Sequence, residues 1–250
     1  MDLMLEGRRC LVTGASAGIG AAIAEGLARE GATVVATARR QDVLDQWAEG
    51  LEAAGVRRPL TVTGDMTDAR QIGRIACQAA QLAGPIEVLI NCAGGSRPVT
   101  LEDGEEVWEE AMSLNFTAGR RLAEHVLPAM REARWGRIIN ITGLMEPHFL
   151  NAALAAKAAL HLWAKGLSRD LAKEGITINS IAPGRIESEQ VQRLYPESER
   201  AAFIERYIPA GYFGEPADLA NLVVFLASPL ARYITGTLIP VDGGMSHKGA

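Results

Sequence analysis

The amino-acid sequence predicts an α/β fold in which seven parallel strands form one doubly wound sheet with helices on both faces. Three observations carry this expectation. Short apolar, β-branched runs alternate with longer helical stretches along the whole chain, and a glycine-rich turn joins the first run to the first helical stretch. No internal repeat, low-complexity stretch or Pro/Gly/Ser linker interrupts the alternation. Strands alternating with helices imply βαβ units, and hence a parallel sheet with right-handed crossovers. A chain of 250 residues suits one such domain, spanning 1–250, with a sizeable core.

Taken in order, the strand candidates are Arg8–Thr13, Thr33–Ala38, Leu60–Thr63, Glu87–Asn91, Arg137–Thr142, Thr177–Ala182 and Thr237–Val241. Between them the helical pattern covers about 18–30, 42–54, 68–82, 103–131, 150–174 and 216–228. The stretch from Gly184 to about Pro216 is rich in Glu, Arg and Tyr and only weakly periodic. A loop this long in a compact domain is usually a lid or binding loop, so 186–215 is expected to be one.

The composition narrows the function classes. With 48% apolar and 22% charged residues the chain reads as an ordinary soluble globular protein. A net charge of −5 and scattered arginine pairs argue against nucleic acid as a partner. Asp2 and Glu6 stand where a secretory leader would be basic, and no apolar run reaches bilayer-spanning length. A cytoplasmic protein with no membrane association is expected. Cys10, Cys77 and Cys92 are widely spaced without a Cys-x-x-Cys pair, and read as reduced, mostly buried small hydrophobes. His125, His148, His161 and His247 never fall at metal-ligand spacing, so no metal site is expected.

The strongest local signal is Thr13-Gly14-Ala15-Ser16-Ala17-Gly18-Ile19-Gly20, placed between the first strand and the first helix. Glycines at these places let the turn tighten, let the backbone approach a pyrophosphate and let the helix pack closely on the strand. Backbone N–H groups and the positive end of the helix dipole then stabilise the anion, as in Rossmann-type dinucleotide sites. Gly14, Ser16, Gly18, Ile19 and Gly20 are therefore candidate cofactor residues. The second strand runs into Arg39 and Arg40, with no acid before Asp42. An acid there accepts the ribose 2′-OH of NAD, whereas an arginine accommodates a 2′-phosphate, so Arg39 favours NADP(H) over NAD(H). The alternative is that both arginines are solvated charges preceding a helix.

The Thr-Gly-x-x-x-Gly-x-Gly turn, Asn91-Cys92-Ala93-Gly94, Asn179, Pro183-Gly184 and Val241-Asp242-Gly243-Gly244 follow one another in order. On these motifs the chain resembles the short-chain dehydrogenase/reductase family from about residue 5 to 245, and most of all its 3-oxoacyl-(acyl-carrier-protein) reductase-like members. The resemblance implies that Asp65, with Met66 beside it, contacts adenine. It implies that Asn91, Ala93 and Gly94 lie along the cofactor, and that Pro183, Gly184, Ile186 and Ser188 meet its nicotinamide end. It also implies a homotetramer or homodimer built through the helices near 103–131 and 150–174 and the C-terminal strand. Trp108, Phe116, Leu160 and Trp163 suit such an interface, the alternative being that they are core.

The family's active site is a tetrad of Asn, Ser, Tyr and Lys. Asn115 matches the first; it interrupts an apolar stripe of Trp108, Met112, Gly119 and Leu122, where an amide asks for a polar partner. Lys157 matches the last; among Ala155, Ala156, Ala158, Ala159 and Leu160 its ammonium needs a partner, which ribose hydroxyls would provide. Four residues before Lys157 stands Ala153 in place of Tyr, and Gly143, after Thr142, stands in place of Ser. The loop between Gly143 and the helix is shorter than the family norm. Candidate proton donors are then His148 in that loop, Lys157 itself, or Tyr195 from the lid. The chain reads as an NAD(P)(H)-dependent oxidoreductase on a small-molecule carbonyl or alcohol with an atypical proton donor. The alternative is a catalytically inactive cofactor-binding protein, a sensor or a partner subunit.

Overall fold

A computed structural model describes residues 1–246; His247 lies outside the described residues. Seven strands pair in parallel in the order β3-β2-β1-β4-β5-β6-β7. In chain order they are β1 (Arg9–Thr13), β2 (Thr33–Ala38), β3 (Leu60–Thr63), β4 (Val88–Asn91), β5 (Gly136–Ile141), β6 (Ile176–Pro183) and β7 (Leu238–Val241). The helices are α1 (Gly18–Arg29), α2 (Gln41–Ala53), α3 (Ala69–Ala83), α4 (Glu105–Met112), α5 (Ala118–Ala133), α6 (Ala152–Leu171), α7 (Glu189–Leu194), α8 (Glu197–Tyr207) and α9 (Pro216–Ala227).

Because side chains alternate across a strand, near-continuous apolar runs bury both faces of the sheet. Val12, Val34 and Ile90 face Ile23 and Leu27 of α1 and Val223 of α9. Their neighbours Leu11, Val35 and Leu89 face Ile72 and Ile75 of α3 and Leu122 and Val126 of α5. The order of strands reverses between β1 and β4, whose register pairs Cys10 with Val88 and Val12 with Ile90. In open parallel sheets a crevice opens at the carboxyl ends of the strands on either side of such a reversal.

Four expectations need correction. The single helix at 103–131 is broken: Ser113–Thr117 forms a π-helical turn between α4 and α5. The cause is Asn115, whose Nδ2 donates to the Ala111 carbonyl at 3.0 Å. That side-chain bond competes for the carbonyl a backbone amide would use, and the turn widens. The stretch after Gly184 is not irregular throughout but carries α7 and α8. Ser188 caps α7 by accepting from the Val191 amide at 3.2 Å, and Pro196 precedes α8. Their periodicity is weak because they bury only a small cluster around Val191, Phe203, Ile208 and Phe213, separate from the main core. Finally, Cys77 is exposed, unlike Cys10, and Leu160 is buried within this chain rather than offered to a partner.

The start of α6 is tied to the loop after β4 by one side chain. Asn151 Oδ1 accepts from the amides of Ala153 (2.9 Å), Leu154 (3.3 Å) and Arg97 (3.3 Å). Its Nδ2 donates to Ser96 Oγ at 2.8 Å. Removing this cap with Asn151→Ala should lower stability by about 1–3 kcal/mol, because a cap and a buried tie are lost together. The midpoint and slope of urea unfolding would report the loss.

Candidate active site

The glycine turn takes the conformation its sequence requires. Gly14 and Gly18 adopt φ of +69° and +55°. A Cβ on Gly20 would stand 2.2 Å from the Gly14 carbonyl oxygen, and one on Gly14 would stand 3.0 Å from Ala93 Cα. The turn therefore closes on itself and on the β4 loop as only glycine permits. Ala17 caps α1 without any side-chain hydrogen bond, and the first turn holds no acid. The first amides of α1 are thus left for an anion.

Across the crevice, the loop after β4 is fixed by Thr13. Its hydroxyl accepts from the Cys92 and Ala93 amides, each at 2.9 Å, and donates to the Ile90 carbonyl at 3.3 Å. Asn91 points the other way, into the helix layer. Its Nδ2 donates to Asn140 Oδ1 (2.8 Å) and to the Gly119 carbonyl (3.3 Å). Asn115, 3% exposed, accepts from the Gly95 amide at 3.0 Å, so the expected polar partner of this amide is the loop itself.

Lys157 projects from α6 and donates from Nζ to the Thr142 carbonyl at 3.1 Å. Burial holds its ammonium below the ordinary lysine range. Burial also pushes the neighbouring Cys92 thiol up to about 12, although the Lys157 charge opposes it. Ala153 is buried. A Cβ on Gly143 would meet Leu154 Cδ2 at 2.7 Å, so Leu154 fills the space a side chain at 143 would take.

These parts face one cleft of about 580 Å³. Of the residues singled out from the sequence, Gly14, Gly18, Ile19, Gly20, Arg39, Ala93, Gly94, Lys157, Pro183, Gly184, Ile186 and Ser188 line it, with His148 and Tyr195 at its other end. Ser188 lies opposite the turn, its Cβ 3.7 Å from where a Cβ of Gly18 would be. His148 is exposed and its ring lies 4.9 Å from that of Tyr207. Ser16, Asp65, Met66, Asn91 and Asn115 are not on its wall. Met66, Asn91 and Asn115 border a separate void of about 10 Å³ behind Ala93. The Asp65 carboxylate accepts from the amide and hydroxyl of Thr67, each at 2.8 Å. Sequence reasoning missed Leu154, Asn151 and Arg185. Asn151 had a signal, an amide residue preceding an apolar helical run; Leu154 and Arg185 had none.

Comparison with known proteins shows the family of this fold. A family pattern described as enoyl-(acyl carrier protein) reductase matches residues 14–246. A 3-oxoacyl-[acyl-carrier-protein] reductase of Vibrio cholerae is 38% identical over 245 residues, covering 96% of this chain and 98% of the relative. A gluconate 5-dehydrogenase of Gluconobacter oxydans is 36% identical over 251 residues, covering 97% and 96%. Among solved structures, L-sorbose reductase from Gluconobacter frateurii, complexed with NADPH and L-sorbose, superposes with a TM-score of 0.93 at 30% identity over 99% of this chain and 100% of that one. The chain belongs to the short-chain dehydrogenase/reductase family of oxidoreductases. No helix among the described residues is long and apolar enough to cross a membrane.

The enclosed ammonium has a measurable consequence. Lys157 is penalised when charged in the folded state, so the unfolded chain binds its proton more tightly and stability rises with pH through this group. Lys157→Met should therefore be more stable than the parent near neutral pH. The gain should shrink as the pH climbs towards the ordinary lysine value of 10.5. Urea unfolding at several pH values would test both sign and trend.

Proposed function

We propose that this chain is an NADP(H)-dependent reductase or dehydrogenase that interconverts a small-molecule carbonyl and alcohol, with its proton supplied by a group other than a tyrosine on α6. The observation that carries the reading is the single cleft running from the glycine turn to Lys157 and His148. The residues present fit a dinucleotide: the turn is open where a Cβ would fill it, and the amides of α1 carry no cap. In this reading Gly14, Ser16, Gly18, Ile19 and Gly20 hold the pyrophosphate through backbone N–H groups. Arg39 holds the 2′-phosphate, and Asp65 and Met66 border the adenine. Ala93 and Gly94 flank the cofactor, with Asn91 supporting their strand. Lys157 binds ribose hydroxyls, and Pro183, Gly184, Ile186 and Ser188 bound the nicotinamide end. The NADPH complex of L-sorbose reductase supports this choice of cofactor.

When bound, the nicotinamide supplies or accepts hydride. The chain's own task is to position the carbonyl, which contributes roughly 7–11 kcal/mol in well-oriented reactions, and to move one proton. Ala153 and Gly143 stand where the family's tyrosine and serine are expected, and neither carries a proton. His148, on the cleft wall, is the first choice of donor, with Lys157 and Tyr195 behind it. Asn115 holds the loop at Gly95 in place. Segment 186–215 acts as a lid over this end. The protein assembles as a homotetramer or homodimer through α4, α5 and α6, with Trp108, Phe116 and Trp163 at the contacts, and works in the cytoplasm.

A second reading, a cofactor-binding protein without turnover, draws support from Leu154, whose Cδ2 occupies the space that a side chain at 143 would take. The two separate in one experiment. NADPH binding is followed by fluorescence, then its oxidation is measured with a panel of keto-esters and quinones; tight binding with no turnover across the panel sinks the reductase reading.

Two variants test the assignments. Arg39→Asp should weaken NADPH binding roughly 10–100-fold, the worth of a charged hydrogen bond, and leave NADH binding equal or better. His148→Ala should lower turnover about 10²–10⁴-fold with NADPH affinity unchanged. Unaltered turnover would rule His148 out as the donor.

A further inference from the structure

Arg185 leaves β6 on a rigid stretch of backbone. Its carbonyl accepts from the Gly214 amide at 2.9 Å, the Glu187 amide donates to the Gly214 carbonyl at 2.8 Å, and Ile186 bridges Gly214 in parallel. Its side chain lines the cleft. The guanidinium lies against two rings of the lid, its Cζ 5.1 Å from the centre of Tyr195 and 5.5 Å from that of Phe203.

Among the described residues the charge is not answered by a carboxylate. Glu187, two residues on, pairs with Arg200 at 3.1 Å, and Arg200 also donates to the Tyr195 carbonyl at 2.9 Å. Glu146 and Glu189 line the same cleft. Among the described residues no ion pair joins either of them to Arg185. Arg185 Nε is buried and has no hydrogen-bond partner. Stacking engages the face of a guanidinium and leaves its in-plane N–H groups free, in a fork that matches a carboxylate. The buried Nε is closed off from the cleft, so an anion there would be met by the terminal Nη groups of this cleft-lining side chain.

We propose that Arg185 is a specificity-determining residue that binds a carboxylate on the carbonyl substrate, so that the preferred substrates are oxo acids rather than neutral ketones. This rests on the reductase reading above, and the test separates the two. The wild-type protein with NADPH is compared on acetoacetate and levulinate against their methyl esters. Equilibrium binding of the same four compounds to the NADPH-loaded protein is measured by calorimetry.

The acids should be preferred over their esters by about tenfold or more in kcat/KM. Arg185→Leu should raise the KM for the acids by a similar factor and leave the esters within about twofold, with Arg185→Lys in between. Equal handling of acid and ester by the wild type overturns the proposal without recourse to any variant. Parallel losses for acid and ester in Arg185→Leu overturn it in favour of a purely structural stacking role. A loss confined to NADPH affinity overturns it in favour of a cofactor phosphate as the bound anion. If nothing turns over but the acids alone bind, the carboxylate site stands and the reductase reading falls.

Discussion

Beyond the backbone pairing of β1 with β4, the hydroxyl of Thr13 sets where the glycine turn meets the loop after β4. It bonds the carbonyl of Ile90 and the amides of Cys92 and Ala93, and so fastens the end of β1 to the loop after β4 where the strand order reverses. With that distance fixed, Gly14 must pass Ala93 at a separation that a Cβ would reduce to 3.0 Å. The next links follow in turn. The loop carries Gly95 to the Asn115 carboxamide, and a Cβ on Gly94 would meet Asn115 Oδ1 at 2.8 Å. Held there, Asn115 takes the Ala111 carbonyl and opens the π-helical turn. A distortion in the middle of a long helix thus traces back to a hydroxyl at the end of a strand.

The fold was legible because its signals are local and redundant. Apolar runs marked every strand to within about two residues, and the glycine turn needed no tertiary context. The π-helical turn was not legible, since competition for one carbonyl depends on where the loop holds Asn115. Nor were α7 and α8, whose apolar residues meet a small cluster instead of the sheet and so lack a sustained stripe. Asn91 shows another limit. The motif points to the cofactor, but strand alternation turns Asn91 towards Asn140 and Gly119 while Cys92 borders the cleft. Leu160 was misjudged for a related reason, because helix register alone does not say how closely the next layer packs.

At the chemical end the sequence places Ala153 four residues before Lys157 and Gly143 after Thr142, but it does not say what packs around them. A side chain at 143 and the present position of Leu154 exclude one another, so restoring a hydroxyl there would require Leu154 to move. That coupling makes the site a packed apolar wall around Ala153 and Leu154 rather than a vacancy. The polar side chains on this part of the cleft wall come from the neighbouring loops, among them His148, Asn151 and Tyr195, and from Lys157.

Lys157 and Arg185 give this wall its electrostatic character. Although the chain carries a net charge of −5, the cleft is bordered by three cations, Arg39, Lys157 and Arg185, against two carboxylates, Glu146 and Glu189. Lys157 has a single carbonyl acceptor and Arg185 a buried Nε with none. Cations held short of partners cost folding free energy, and such strain persists at functional sites because it is relieved on binding. In the proposed reaction, a carbonyl oxygen gains negative charge as it is reduced. An enclosed ammonium favours that charge even before a proton arrives, because the low-dielectric surroundings that depress its pKa also strengthen its field. In that reaction the proton donor and the ammonium act on the same oxygen, so the field of Lys157 contributes whichever side chain supplies the proton.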